Sequence, residues 1–96
     1  MEHKYIIIMA RDGAPIPKCK GWCETVDKAH DKVIAMAKQS ERDRDEHLAY
    51  FKIKDMVKSP DCNGYLVECE FAYSCDEEPF HDYYYILPVQ NNIGGD

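Results

Sequence analysis

Residues 49–73, AYFKIKDMVKSPDCNGYLVECEFAY, decide the fold because they hold two alternating segments separated by a turn. Apolar side chains recur at every second position in residues 49–57 and again in residues 65–73, which is typical of half-buried strands. The connecting residues 59–64, SPDCNG, have the composition of a turn. The stretch therefore predicts an antiparallel hairpin with one apolar face.

The charged side chains of this hairpin indicate its register. Two lysines of the first segment can face two glutamates of the second, and the apolar side chains of both strands then share the opposite face. The predicted facing pairs are Lys52–Glu70, Lys54–Glu68, Phe51–Phe71, Ile53–Cys69 and Val57–Tyr65. Each ion pair is weak by itself, so the prediction depends on the agreement between charge and hydrophobic pattern.

A third strand is predicted over residues 81–89, which alternate apolar and aromatic side chains. Residues 75–80, CDEEPF, supply its connection to the preceding strand. The predicted facing pairs are Tyr73–Tyr83, Phe71–Tyr85 and Cys69–Leu87. In this register Tyr84 and Ile86 point away from the helix.

The N-terminal half predicts two further strands and one helix. Residues 4–10, KYIIIMA, are apolar on both faces, as in a central strand, and residues 18–24 suit an edge strand. Thr25 is a good N-cap, and the residues Val26, Ala29, Val33 and Ala37 follow it at helical spacing. Residues 40–47, SERDRDEH, contain no apolar side chain and suit either a frayed extension of the helix or a solvated loop. We favour the loop and expect the helix to end near Gln39 or Ser40.

Together these elements predict an α+β domain in the order β-α-β-β-β. Its four- to five-stranded, mostly antiparallel sheet carries one main helix on one face. The chain of 96 residues is long enough for a single domain, residues 1–96, in which residues 90–96, QNNIGGD, form a flexible tail.

Charge is distributed unevenly along the chain. Every Lys and Arg lies before residue 60, so residues 61–96 carry a charge of −8 and the preceding residues +2, which gives the net −6. Because phosphate contacts need a basic face, this balance argues against direct binding of nucleic acid and favours a basic protein surface as partner. The longest apolar run, residues 5–10, is too short to span a membrane. The first residues also lack a signal-peptide pattern, so we expect a cytoplasmic protein with reduced thiols.

The acidic aromatic segment, residues 73–85, is the leading binding candidate. Tyrosine and phenylalanine rings supply contact area, and the carboxylates around them select a cationic target. The expected partner-binding residues are Glu68, Glu70, Asp76, Glu77, Glu78, Phe80, Asp82 and Tyr84. The alternative is that Tyr83 and Tyr85 belong to the core while residues 76–78 form a solvated turn.

The outer face of the sheet is a second docking candidate. In the predicted register it exposes Leu66, Tyr84 and Ile86 beside the two glutamates of the central strand. An apolar sheet face without a covering layer often docks on another surface. A homodimer and a complex with another protein both remain open.

A small zinc-binding structural domain is the alternative function. Cys19 and Cys23 have C-x3-C spacing, and Cys75 and His81 could face each other across the C-terminal hairpin. Structural zinc needs four such ligands in a tetrahedron and more often uses C-x2-C pairs. The sequence therefore favours a protein without metal or other cofactor.

Enzymatic activity is not expected. A nucleophilic Cys75 would need a nearby base or cation, but three carboxylates follow it directly and disfavour the thiolate. His81 and Asp82 point to opposite faces of one strand, so they cannot act as a dyad. The chain also contains no phosphate-binding glycine loop and no metalloprotease helix motif.

In overall character the chain resembles the small phage-encoded anti-defence proteins, anti-CRISPR proteins in particular. The features that match are the length, the β-α-β-β-β order and the acidic segment CDEEPFHDYYY of residues 75–85. The resemblance implies a cytosolic inhibitor that occupies the nucleic-acid-binding groove of a defence complex, with carboxylates in place of phosphates. Because the first half of the chain is basic, such mimicry would be confined to one face.

Overall fold

One helix and six strands make up the computed structural model, which describes residues 4–13, 16–44, 48–60 and 63–89. In chain order the elements are β1 (Tyr5–Arg11), β2 (Lys18–Cys23), α1 (Val26–Arg44), β3 (Tyr50–Ile53), β4 (Val57–Lys58), β5 (Tyr65–Ala72) and β6 (Phe80–Pro88). The strands form one antiparallel sheet in the order β2-β1-β6-β5-β3, and β4 also pairs with β5. This is the predicted α+β class, with one strand more than expected; the predicted tail lies outside the described residues.

The helix α1 begins where the sequence predicts. The side-chain oxygen of Thr25 accepts a hydrogen bond from the backbone N–H of Lys28 at 3.1 Å and so satisfies a free donor of the first turn. Ala29, Val33 and Ala37 follow at intervals of four residues and are 0% exposed. The predicted apolar face of the helix is thereby confirmed.

The end of α1 differs from the prediction. The helix continues to Arg44, so over residues 40–44 the chain forms the helical extension and the favoured loop is wrong. Residues 45–47 lie outside the described residues. In the last turns Gln39 donates a hydrogen bond to Asp43 at 2.8 Å, four residues on. Polar side chains that pair at this spacing sustain a solvated helix, so the loss of apolar residues does not end it.

The core lies between α1 and one face of the sheet. Strand β1 is central, between β2 and β6, and places Ile7 opposite Ile86. Strand β5 places Val67 opposite Tyr84 on the same face. These four side chains are at most 3% exposed. The predicted positions of a central first strand and an edge second strand are confirmed.

The β3–β5 pairing has the register that the charges predict. The observed pairs include Phe51–Phe71, Lys52–Glu70 and Ile53–Cys69. One residue further, the backbone N–H of Lys54 donates to the carbonyl of Glu68 at 2.9 Å, and the Lys54 ammonium lies 3.3 Å from the Glu68 carboxylate. Charge and hydrophobic pattern therefore predicted the register of this half of the hairpin correctly.

The prediction for Val57 is wrong. Strand β3 ends at Ile53, and the chain rejoins the sheet as β4 with Val57 opposite Leu66, one residue away from the predicted Tyr65. A shift of one residue moves a side chain to the other face of a sheet. Val57 is accordingly 53% exposed.

The register of the β5–β6 pairing is also wrong. Cys69 lies opposite Asp82 and not opposite Leu87, a difference of five residues. Because this number is odd, every side chain of β6 lies on the face opposite to the predicted one. Tyr84 and Ile86, expected to face outward, belong to the core at 3% and 0% exposure.

The residues of β6 that were predicted to face the core lie on the outer face of the sheet instead. Tyr85 lies opposite Leu66 of β5 and Ile8 of β1, and Leu87 lies opposite Ile6. All of these side chains are partly exposed. The outer face thus keeps the apolar character that the sequence predicts, but with different members from β6.

Candidate partner-binding site

The end of the sheet that holds the β5–β6 loop carries four aromatic rings in mutual contact, here called the aromatic cluster. Its members come from β3, β5, β6 and the residue after β5: Phe51, Phe71, Tyr73 and Phe80. Phe71 stacks on Phe80 with ring centroids 5.7 Å apart, and Tyr73 meets Phe80 edge to face at 5.9 Å. Such geometries stabilise ring pairs beyond the burial of their surface. The contacts among the four rings therefore restrict the orientation of each ring.

The cluster has a buried base and an exposed edge. Phe71 is 3% exposed, whereas Tyr73 is 41% and Phe80 44% exposed. On the helix side the guanidinium of Arg44 lies 4.9 Å from the centre of the Phe71 ring, a cation–π contact that covers the base. The two exposed rings thus have fixed positions before any partner arrives.

The loop that joins Tyr73 to Phe80 carries three exposed carboxylates, here called the acidic loop: Asp76, Glu77 and Glu78. Ser74 holds the loop, since its side-chain oxygen accepts from the N–H of Asp76 at 3.2 Å and its carbonyl accepts from the N–H of Glu77 at 3.3 Å. Within the described residues, none of the three carboxylates forms a salt bridge. Their charge is therefore available to an external cation.

Asp82, an expected contact residue, lies in the interior. Its carboxylate is 0% exposed and accepts two hydrogen bonds from Arg11, from Nε at 2.8 Å and from Nη2 at 3.3 Å. The hydrogen bond from Arg11 to Asp82 also raises the pKa of the guanidinium. This carboxylate belongs to a structural ion pair with Arg11, so it cannot contact a partner in the folded protein.

Tyr84, another expected contact residue, is also buried. Burial raises its pKa to about 12, because the charged form would lose its hydration. Its side chain packs in the core beneath α1. Asp82 and Tyr84 are both excluded as contact residues because the register of β6 turns them inward.

Glu68 and Glu70 lie on the outer face of the sheet, away from the aromatic cluster. Each lies close to the Lys54 ammonium, at 3.3 Å and 3.4 Å respectively. Glu70 also accepts a hydrogen bond from the Tyr50 hydroxyl at 2.7 Å, which is the main reason that its pKa is lowered. These two carboxylates interact with groups of the same chain, so they are poorly placed for a partner.

His81 completes this outer network. Its Nδ1 lies 3.2 Å from Asp12, and its Nε2 lies 3.5 Å from Glu68 and 3.6 Å from Glu70. Within the described chain, these two glutamates and His81 are the group whose ligand atoms lie close enough to hold a metal ion, within 4.8 Å of one another. However, Lys54 already supplies a positive charge between the carboxylates, and we assign no metal here.

The zinc ligands proposed from the sequence do not come together in the described residues. Cys19 faces the outer side with Ile8, whereas Cys23 packs against the core. Cys75 is exposed in the β5–β6 loop, and no group of three or more ligands in the described chain includes a cysteine. Within the described residues, Cys19 and Cys23 therefore belong to no group of three or more possible metal ligands.

Of the eight expected contact residues, the structure brings four together: Asp76, Glu77, Glu78 and Phe80. Tyr73 and Arg44 were not among the contact residues expected from the sequence. Tyr73 could have been found, because it is the first residue beyond a strand that ends next to a turn. Arg44 could not, because its contact with Phe71 depends on the extra turn of α1.

No helix in the described part of the chain is long and apolar enough to cross a membrane. No protein-family model matches the chain, and comparisons with curated proteins and with solved structures also found no match.

Proposed function

We propose that this protein is a non-enzymatic inhibitor or adaptor that docks the tip of its β5–β6 hairpin on a basic surface of another protein. One observation supports the proposal above all. Two half-exposed rings, Tyr73 and Phe80, flank a loop with three carboxylates that form no salt bridge in the described chain. Contact sites of this kind combine an aromatic anchor with charges at the rim.

The rings would supply most of the affinity. Each has close to half of its surface exposed and is held by the stacking contacts of the aromatic cluster. A ring with a fixed position loses little conformational freedom on binding, so more of its burial appears as affinity. A pocket for Phe80 on the partner is the expected counterpart.

The acidic loop would supply specificity and would raise the rate of association with a basic surface. Carboxylates accept paired hydrogen bonds from arginine, and this geometry distinguishes arginine from lysine. The local negative field extends over roughly a Debye length, about 8 Å at physiological salt. A surface that is rich in arginine is therefore the favoured partner.

Surfaces rich in arginine are common on proteins that bind nucleic acids. The resemblance to anti-CRISPR proteins leads to the narrower proposal that the partner is such a protein within a phage-defence complex. In that case Asp76, Glu77 and Glu78 would take positions that backbone phosphates otherwise occupy. The aromatic cluster would then distinguish this contact from the binding of a nucleic acid.

The experiment begins with capture of partners from the cells that contain the protein, at low and at high salt. The affinity of the purified partner is then measured for the wild type and for the variant Asp76→Lys/Glu77→Lys/Glu78→Lys. We expect at least a tenfold loss, about 1.4 kcal/mol, and a weaker dependence on salt.

A matched control reverses three exposed carboxylates elsewhere: Asp27→Lys/Asp31→Lys/Asp55→Lys. It changes the net charge by the same amount, so it separates a local contact from the overall field of the protein. The proposal predicts that the control keeps most of its affinity. Equal losses in both variants, or undiminished binding by the loop variant, would refute it.

A further inference from the structure

A cavity of about 530 Å³ opens between the C-terminal half of α1 and strands β1, β2 and β6. It lies behind the aromatic cluster and includes none of the exposed residues of the hairpin tip. Its volume falls within the range of roughly 300–1,000 Å³ that is usual for small-molecule sites. Its position between a helix and a sheet makes it a separate candidate for ligand binding.

The cavity is rich in positive charge, although the whole protein has a net charge of −6. Three cations line it: Arg11, Lys20 and Arg44. Two carboxylates oppose them, Asp43 in the lining and Asp82 behind Arg11. The balance is positive, so the local field favours an anion.

The two guanidinium groups are fixed before any ligand arrives. Arg11 uses Nε and Nη2 to bind the buried Asp82, which leaves the hydrogens of Nη1 free for another acceptor. Arg44 stacks over the ring of Phe71 at 4.9 Å, and its Nη1 donates to Ser40. Groups held in this way lose little freedom when they bind an anion.

The end of a helix normally disfavours an anion because its last carbonyl groups carry partial negative charge. In α1 the last turn contains Arg42 and Arg44, and Arg44 donates to the carbonyl of Ser40 at 3.3 Å. These basic side chains offset the carbonyl groups. The helix terminus therefore does not cancel the positive field of the cavity.

Apart from Gln39 and Ser40, the remaining wall of the cavity is apolar. Met9, Met36 and Tyr84 line it. Methionine side chains adapt to ligands of different shapes, whereas Tyr84, at 3% exposure, forms only the floor of the cavity. A ligand that fills the cavity would thus need an apolar body as well as a negative charge.

We propose that this cavity binds a small organic anion, with an apolar body against the partly exposed side chains of Met9 and Met36. Its phosphate or carboxylate group contacts Arg11, Lys20 and Arg44. This function goes beyond the docking of the hairpin, because it uses a different face of the molecule and a charge of opposite sign.

The four methionines of the chain provide a direct test. Protein with 13C-labelled methionine methyl groups is titrated with 1-naphthyl phosphate and followed by NMR. We expect saturable shifts of the Met9 and Met36 signals, which line the cavity, and little change of Met56, which packs on the core elsewhere. The neutral analogue 1-naphthol should bind at least tenfold more weakly.

Two charge-matched variants complete the test. Lys20→Gln/Arg44→Gln removes two cations of the cavity, and Lys28→Gln/Lys38→Gln removes two exposed cations of α1 outside it. We expect the first to weaken binding of 1-naphthyl phosphate at least tenfold and the second to change it less than threefold. Amide spectra of both variants verify that the fold is retained.

Three results would overturn the proposal: no methionine shift at millimolar 1-naphthyl phosphate, equal shifts at Met56 and the two cavity methionines, or equal affinity for 1-naphthol. Equal losses in the two variants would also overturn it, because the anion would then respond only to the net charge of the protein.

Discussion

Two groups of carboxylates in the C-terminal half differ in what neutralises them. Glu68 and Glu70 lie on the outer face within 3.4 Å of the Lys54 ammonium. The three carboxylates of the acidic loop form no salt bridge in the described residues. The comparison teaches that acidic composition alone does not define a binding surface. Carboxylates that lack a partner in the described part of the chain are the ones available to another protein.

Asp82 extends the comparison into the interior, where the largest effect is expected. The variant Arg11→Met would leave the carboxylate of Asp82 buried without a cation. This should lower the free energy of unfolding by about 3 kcal/mol. This is the lower end for a buried pair, because Arg11 itself is 39% exposed. Urea unfolding measures the loss.

Arg42→Met is the matched control, since Arg42 is exposed on α1 and contacts Gln39. The double variant Arg11→Met/Asp82→Leu should regain much of the stability, because it removes both charges. If Arg11→Met and Arg42→Met cost the same, the interior ion pair would not have the assigned role.

Phe80 provides the next largest effect, on binding. Phe80→Ala should weaken the complex with the captured partner by about 2 kcal/mol, or roughly 30-fold, as for an aromatic anchor at the centre of an interface. The effect on stability should be smaller, since the ring is 44% exposed. Val57→Ala, at an exposed residue of the outer face, is the control and should leave the affinity unchanged.

The two groups of carboxylates can be compared directly by neutralisation. Glu77→Gln/Glu78→Gln should weaken the complex about fivefold, whereas Glu68→Gln/Glu70→Gln should change the affinity less than twofold. Each variant removes two negative charges, so the difference reports their positions. Isothermal titration calorimetry provides the affinities, and a larger loss in the second variant would contradict the assignment.

The smallest effect concerns the pH dependence of stability. The hydrogen bond from Tyr50 lowers the pKa of Glu70, so Glu70 stabilises the folded protein above its unfolded pKa of roughly 4.3. This stabilisation is lost as the pH falls through the lower, folded pKa. Tyr50→Phe should raise the pKa of Glu70 and weaken the acid dependence of stability.

Carboxyl-carbon NMR titration measures this pKa. Tyr73→Phe is the control, because the Tyr73 ring belongs to the aromatic cluster and does not contact Glu70. An unchanged pKa of Glu70 in Tyr50→Phe would show that the hydrogen bond has no influence.

Much of the fold could be predicted because charge and hydrophobic pattern agree. They do so in α1, where Ala29, Val33 and Ala37 are buried at the expected spacing, and in the pairing of Lys52 with Glu70. In β6 both faces are mainly aromatic or aliphatic, with Asp82 on one and His81 on the other, so alternation could not decide which of them is buried.

The candidate site was predicted in part for the same reason. The exposed loop follows from composition, since three consecutive carboxylates in a turn cannot be buried without partners. The inward position of Asp82 could not be predicted, because it depends on Arg11, which is 71 residues away in the chain. Pairing across such a separation follows from the strand order and not from local pattern.

The central claim is tested most directly by titrating 15N-labelled protein with a hexa-arginine peptide, because the loop should prefer arginine whatever its natural partner is. We predict saturable amide shifts at residues 74–80 that disappear at 0.5 M salt, roughly where screening removes surface attraction. Shifts at Glu68 and Glu70 should be small. Larger shifts at those two glutamates, or none at the loop, would contradict the account.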